Sequence, residues 1–489
     1  MFNRLQFARV YSIMVFVGDL AISTNIDSQR REIFMNKMEL LKQRTASVLN
    51  ASKNARARIE KLVDENSFVE LSAFTFSKNA FYNEDVEGEG VVCGYATIDE
   101  YSFYVIAQNE EVFSGGISKA SCDKMCKCLD AAEKNATPVV YILNTRGVQI
   151  GEGVTVLEGL SKVLMRATQL KGVVPQYVIV DGDVYGSLSV LAAVADLVLF
   201  VKGNSTLAVN SPFVLSAKDG KNVKKEEIAA LPALDKTGLS ALEVQDLAEA
   251  KERIAYVHSL LANAVVDAEL NDSLPVLNES ASCENLLGVF EDYIELGSVC
   301  ESDVKTLLGR IGGIAVAAVL FDGGEQGVEL TAGKLAKIKS FIQFTTCYNL
   351  PFISFADVLG FKQTSCVHNS RAMKETVEYL ELLDTIDSAK ISVVYKKAVG
   401  LGYSLFAAKS AGFDYTIAFA NAKIALFDSL QGAKIEFNEK GVDENTLKER
   451  YDDEKADPIH AAKDGYLDCI IEPQFVKQYL ISALQMLGK

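Results

Sequence analysis

Pro138-Val139-Val140-Tyr141-Ile142-Leu143-Asn144 is a β-branched apolar run that stops at Thr145-Arg146-Gly147, and this arrangement occurs twice in the chain. A second run, Tyr177-Val178-Ile179-Val180, leads to a small-residue turn at Gly186-Ser187, followed by Ala195-Asp196-Leu197-Val198-Leu199-Phe200 and Pro212. The C-terminal half keeps the order. Pro351-Phe352-Ile353-Ser354-Phe355-Ala356-Asp357 runs into Leu359-Gly360-Phe361, and Ile391-Ser392-Val393-Val394-Tyr395 leads to Gly400-Leu401-Gly402. Short continuous apolar runs bounded by turn residues predict strands buried on both faces. A glycine turn opening a helical pattern leaves backbone N–H groups unpaired at the helix start, free for a phosphate or for a developing oxyanion. One such turn also fits an ordinary strand-to-helix connection. Two pairs in corresponding positions predict two α/β halves with similar sites facing each other, an arrangement suited to an enzyme that joins two ligands.

Composition narrows the function classes. The chain has 489 residues, 49% hydrophobic, and a net charge of −16. That acidity argues against nucleic acid as a partner. Nine cysteines are scattered through the sequence; Cys122, Cys126 and Cys128 lie on one predicted helix without paired CxxC spacing. They are expected to be buried thiols in a reducing, cytoplasmic setting, with no metal site. The apolar stretch at 11–22 is interrupted by Asp19 and is too short to cross a bilayer. The three histidines, His258, His368 and His460, have no triad spacing and are expected to be structural or exposed.

The repeat sets the expected boundaries: an extension at 1–37, a first half at 38–270 and a second half at 284–489. Residues 38–59 and 243–267 predict helices. Residues 271–282 form a polar linker, and the charged stretch 439–457 is expected to be a solvated excursion.

Longer segments carry a family likeness. Arg58-Ile59-Glu60-Lys61-Leu62-Val63-Asp64-Glu65 with Asn66 to Leu71, Gly88-Glu89-Gly90-Val91-Val92-Cys93-Gly94, Ser114-Gly115-Gly116-Ile117-Ser118 and Gly151-Glu152-Gly153-Val154 come in order. Asp357-Val358-Leu359-Gly360-Phe361, Lys397-Ala398-Val399-Gly400-Leu401-Gly402-Tyr403 and Ala461-Ala462-Lys463-Asp464-Gly465-Tyr466 complete the series. Together, from about residue 40 to the end, they resemble the carboxyltransferase (β) subunits of biotin-dependent acyl-CoA carboxylases and decarboxylases. The resemblance implies two homologous crotonase-like domains (ClpP/crotonase superfamily), the first on the acyl-CoA side and the second on the biotin side. It implies carboxyl transfer between biotin and the α-carbon of an acyl-CoA. Charge then develops on two carbonyl oxygens, each needing fixed N–H donors. By position, the thioester pocket would use Gly147, Val148, Gly186 and Ser187, and the biotin pocket Gly360, Phe361, Leu401 and Gly402.

The sequence departs from the family pattern at several turns. Arg146 stands where the family has glycine, where it would crowd a ligand or pair with a CoA phosphate or a carboxylate. Ser187 and Leu401 replace glycines, Leu359 replaces proline, and Ser404 occupies the family's acyl-pocket aspartate position, so Arg146 and Ser404 are expected to touch substrate. A biotinylation motif and an ATP-binding signature are not seen. The resemblance therefore implies biotin on a carrier protein or domain, biotin carboxylase or decarboxylase partner subunits, and a homo-oligomer. A catalytically silent scaffold is the alternative that the lost glycines favour; a crotonase-type hydratase would require paired glutamates in the turns.

Overall fold

The computed structural model describes residues 24–79, 84–86, 88–225, 241–262, 272–296, 301–362, 371–437 and 442–488. The chain divides into two compact units, Met1–Ala51 and Ser52–Lys489. The first contains the helix Thr24–Asn50, which runs through the boundary expected at residue 37. A separate helix, Lys53–Leu62, comes next, so the single helix expected over 38–59 is broken at Ala51 and Ser52.

Within Ser52–Lys489 two mixed sheets repeat one plan. In the first, the strands Val69–Leu71, Val91–Ile98, Tyr101–Gln108, Val139–Thr145, Gln176–Tyr185, Leu197–Val201 and Ala241–Val244 lie side by side in sequence order. In the second the order is Asp292–Glu295, Val304–Ile311, Ile314–Phe321, Phe352–Phe361, Lys390–Val399, Tyr415–Phe419 and Cys469–Ile471. Each sheet starts as antiparallel hairpin strands and turns parallel at the third crossing. Short strands, Thr206–Ala208 and Lys423–Ala425, attach to the far ends of Gln176–Tyr185 and Lys390–Val399.

The two halves share a finer irregularity. Leu143 pairs with Val180 and Thr145 with Val184, so the longer strand carries two extra residues at that point. In the second half Ala356 pairs with Val394 and Val358 with Ala398, the same excess at the same place. Such a bulge bends a strand and re-aims the residues beyond it. Here it turns the strand ends toward the short companion strands and sets up the glycine turns.

The apolar runs explain the packing. Val139, Tyr141 and Leu143 face a core that also contains Cys122, Met125 and Leu129 of helix Lys119–Asn135 and Leu160 and Val163 of helix Val154–Leu170. Val140 and Ile142, on the opposite face, enter a second core that includes Val304, Leu307, Val316 and Phe355 of the other half. The β-strand alternation therefore divides each run between two cores. Each fully buried Val, Ile or Leu contributes about 1.5–3 kcal/mol, so the halves are joined by shared burial as well as by the chain between them.

The linker region contains a short helix, Val276–Glu279, and is held by Leu274 N–H donating to Gln474 O (2.9 Å); its first residue lies outside the described set. Two expectations need correction. The charged stretch is not merely solvated: helix Glu444–Tyr451 buries Leu447 and Tyr451 beside Ala433, over the space that Gly432 leaves open. Helix Leu247–Leu261 begins after a strand, Ala241–Val244, where a continuous helix was expected. No described helix is long and apolar enough to cross a membrane.

Candidate active site

The strand-to-helix turns of the two halves have one geometry. Gly186 caps helix Ser187–Val194 with φ 78° and ψ −145°. Gly400 caps helix Leu401–Phe406 with φ 54° and ψ −129°. Side-chain-bearing residues rarely tolerate this conformation. In both turns the glycine N–H donates to the companion strand, from Gly186 to Ala208 O (3.2 Å) and from Gly400 to Ala425 O (2.9 Å). The glycine carbonyl accepts from a residue in the first helical turn, Ser189 N–H (3.0 Å) or Ser404 N–H (3.4 Å). Neither glycine has a side chain to cap its helix, and the Gly186 carbonyl also accepts from Ser189 Oγ (2.7 Å). The N–H groups that begin the helices, on Ser187 and Leu188 and on Leu401 and Gly402, are left without intrahelical partners.

The first turn of the N-terminal half is built by the segments that carried the family likeness. Ile117 N–H donates to Gly147 O (3.0 Å) and Gln149 N–H to Ile117 O (2.8 Å), which seats 114–118 against the turn. Glu89 fixes that segment from behind: its Oε1 accepts from Gly90 N–H (2.9 Å), Ser118 Oγ (2.9 Å) and Ser121 Oγ (2.7 Å). Thr145 Oγ1 donates to Gly115 O (2.7 Å) and lies 3.1 Å from Gly147 N. The Gly147 N–H is thus already engaged, whereas Val148 N–H has no hydrogen-bond partner among the described residues. A methyl group at Gly147 or Gly186 would meet nothing within 4 Å, so this pocket is open.

In the C-terminal half the two turns touch. A Cβ on Gly360 would lie 3.6 Å from Leu401 N and 3.7 Å from Gly402 N. A Cβ on Gly402 would lie 2.9 Å from Gly360 N and from both Val358 methyls. The space beside Gly360 is therefore a cradle that a Cβ would fill, bounded by the Val399 carbonyl (3.5 Å) and the Leu401 and Gly402 amide nitrogens. Gly360 and Phe361 also pair with Glu329 and Leu330 of strand Val328–Leu330, through which the turn is anchored. Ser404 is exposed one helical turn on, and the Leu401 side chain is 41% exposed at the mouth. Arg146 is exposed at the opposite half's first turn.

Sequence reasoning assigns no role to Asp357, three residues before Gly360. It is fully buried, and neither carboxylate oxygen makes a hydrogen bond of good geometry. Burial pushes its pKa up to about 6 against the pull of Lys396, Lys397 and the Gly323 N–H, with Asp322 adding to the rise. Those lysines hold the covering loop, Lys396 Nζ donating to Gly324 O (2.8 Å) and Lys397 Nζ to Gln326 O (2.8 Å). Between pH 4 and 6 the folded chain keeps a proton that the unfolded chain has released, so this group's contribution to stability falls as pH rises through that window. Asp357→Asn is expected to be more stable than the parent at pH 7 by roughly 3 kcal/mol, and equal to it below pH 4. Denaturant titrations at both pH values check this; an equal difference at the two would contradict it.

The two described histidines, His258 and His460, lie apart from these turns. His258 is packed edge-on against Tyr101 and Phe103 (centroids 4.8 and 5.1 Å), and burial lowers its pKa to about 4. His460 is exposed on helix Pro458–Lys463, and His368 lies outside the described residues. Cys122, Cys126 and Cys128 are buried, and burial pushes the Cys122 thiol up to about 12.

Known proteins resemble this chain over most of its length. The model of the carboxyl transferase domain matches residues 50–489. The α subunit of methylmalonyl-CoA decarboxylase from Veillonella parvula is 28% identical over 89% of this chain and 90% of its own length. The propionyl-CoA carboxylase β chain of Saccharopolyspora erythraea is 26% identical over 89% and 88%. The transcarboxylase 12S hexamer core, solved with methylmalonyl-coenzyme A and methylmalonic acid, superposes with a TM-score of 0.83 over 96% of this chain and 97% of that one, at 22% identity. The fold is therefore that of the transcarboxylase 12S chain, α/β with one sheet plan repeated in two halves.

Proposed function

The chain belongs to the carboxyl transferase domain family, and from that footing we propose that it is the carboxyltransferase component of a biotin-dependent acyl-CoA carboxylase. It would move a carboxyl group between biotin on a carrier and the α-carbon of a short acyl-CoA. The observation that carries this reading is the matched pair of glycine-capped turns, Gly186 and Gly400, each opening a row of unpaired amides. The Veillonella relative supports the reverse direction, decarboxylation, as the alternative within the same chemistry.

The residues would divide the work between the two pockets. Val148, Ser187 and Leu188 N–H groups hold the thioester oxygen as it gains charge on forming the enolate. Gly147 shapes this pocket through its backbone, with its own N–H turned to Thr145. On the other side Leu401 and Gly402 N–H groups, with the edge formed by Gly360 and Phe361, receive the ureido oxygen of biotin. When bound, biotin supplies the carboxyl carrier and the base. Each fixed donor is worth about 3–4 kcal/mol of transition-state stabilisation in a dry site. Ser404, exposed beyond the Leu401 turn, would line the acyl pocket.

A ligand that binds only the native state raises its melting temperature. Malonyl-CoA or propionyl-CoA is expected to raise the melting temperature more than ATP or NAD at equal concentration. Absence of any shift with CoA esters would favour the silent scaffold.

Each half carries one kind of pocket, so a working site would pair the N-terminal half of one subunit with the C-terminal half of another. Exposed apolar residues border both: Ile150, Val154, Val209 and Phe213 in one half, Leu401 and Leu426 in the other. A homo-oligomer is expected by light scattering at micromolar concentration. A monodisperse monomer would contradict this pairing. The partners that would complete the reaction are a biotin carboxyl carrier and a biotin carboxylase or decarboxylase subunit.

A further inference from the structure

The described arginines of Ser52–Lys489 differ in one respect. All but one lie within 4.0 Å of a carboxylate oxygen: Arg58 reaches Glu110 and Asp181, Arg166 reaches Asp130, Arg310 reaches Asp292, and the rest are similarly paired. Arg146 has no such partner among the described residues and is exposed to solvent, in a chain whose net charge is −16. An acidic surface offers many carboxylates, so an unengaged guanidinium there is unusual. The nearby cation Lys225 is already held by Asp183.

The position of Arg146 is as informative as its freedom. It directly precedes Gly147 and stands two residues before the unpaired Val148 N–H. Its charge also reaches Tyr185, the residue before Gly186. Burial, with Asp183, pushes the Tyr185 phenol up to about 12, and Arg146 pulls it the other way. Thr145 pairs with Val184 on the neighbouring strand, so Arg146 stands between the two N-terminal turns, beside the open space at Gly147 and Gly186.

We propose that Arg146 recognises the free carboxylate of a carboxyacyl-CoA of the malonyl type, so that this site discriminates carboxylated from uncarboxylated thioesters. The inference rests on the reading of the N-terminal half as the thioester pocket. A carboxylate on the α-carbon is one bond removed from the thioester carbon, within reach of a residue next to the oxyanion donors. The CoA phosphates lie at the far end of the pantetheine arm and are out of reach from there. A planar guanidinium matches a carboxylate through two parallel N–H···O bonds, which neither glycine nor a point-charge ammonium provides.

Calorimetric titration of the full chain with malonyl-CoA, acetyl-CoA and free CoA tests this directly. The parent is expected to bind malonyl-CoA about tenfold or more tightly than acetyl-CoA, as a charge-assisted pair would give. Arg146→Ala should reduce that ratio to about twofold or less, with acetyl-CoA affinity unchanged, which also reports an intact fold. Arg146→Lys should fall between the two. A preference that survives in Arg146→Ala overturns the assignment, as does equal weakening of all three ligands. If the parent binds no CoA ester, the thioester reading fails and the inference falls with it; retained acetyl-CoA binding with an unchanged ratio removes the inference alone.

Discussion

Gly402→Val is expected to abolish carboxyl transfer while leaving CoA-ester binding in the other half nearly unchanged. The reason lies in the contact between the two C-terminal turns. A Cβ at Gly402 would sit 2.9 Å from Gly360 N and from both Val358 methyls, and valine adds two more carbons there. The turn must then move, and the Leu401 and Gly402 amides move with it. Overpacking of this kind costs about 1–3 kcal/mol of stability, little enough for a chain of this size to remain folded. Misplacement of two donors lowers the rate by a factor of about 10²–10³ for each. Transfer assays with malonyl-CoA and free biotin, alongside titration with acetyl-CoA, separate the two effects. Full transfer activity in Gly402→Val would show that this cradle is not where biotin is held.

Gly186→Ala tests the other pocket by a different physical route. No atom lies within 4 Å of the added methyl, so crowding is absent. The strain comes from the backbone: φ 78° with ψ −145° is a region that alanine avoids by about 1–3 kcal/mol. Relaxing that strain rotates the Ser187 and Leu188 amides away from the thioester oxygen. The rate is expected to fall about 100-fold or more, with the Michaelis constant for biotin unaltered. Gly220→Ala is the control: its φ is 65° at the end of helix Pro212–Asp219, equally uncrowded, and it should alter stability without altering transfer. If both substitutions have the same effect on rate, the Gly186 turn has no special role.

The architecture was legible because its strands are buried on both faces. Val139 to Leu143 and Phe352 to Ala356 have no polar alternation to confuse the period, and each ends at a residue type that turns the chain. The duplication was visible for the same reason. The features that stayed hidden depend on pairing across distance. The two-residue bulge after Val180 and after Val394 has no local signal, because it is defined only against the neighbouring strand. The companion strands Thr206–Ala208 and Lys423–Ala425 are three residues each, too short for a periodic pattern. Gly147 was expected to donate its N–H, and Thr145 Oγ1 takes it; a hydroxyl two residues before a glycine is a sequence signal of such a local bond. Asp357 sits within a family-like segment, yet its isolation beneath the loop at 323–327 arises only when that loop is folded over it. In the stretch 439–457, Leu447 and Tyr451 stand four apart, enough to mark one buried helical face within an otherwise charged segment.

In the proposed mechanism one set of backbone donors holds the thioester oxygen and the other the ureido oxygen, and transfer to free biotin tests both in a single reaction. Purified protein would be incubated with methylmalonyl-CoA or malonyl-CoA, with and without free biotin, and the uncarboxylated CoA ester quantified. The expected result is conversion that requires biotin, rises with its concentration, and disappears in Gly402→Val. CoA-ester binding with no biotin-dependent conversion, in parent and variant alike, would contradict the two-pocket mechanism and leave a scaffold that keeps the fold of a carboxyltransferase without its chemistry.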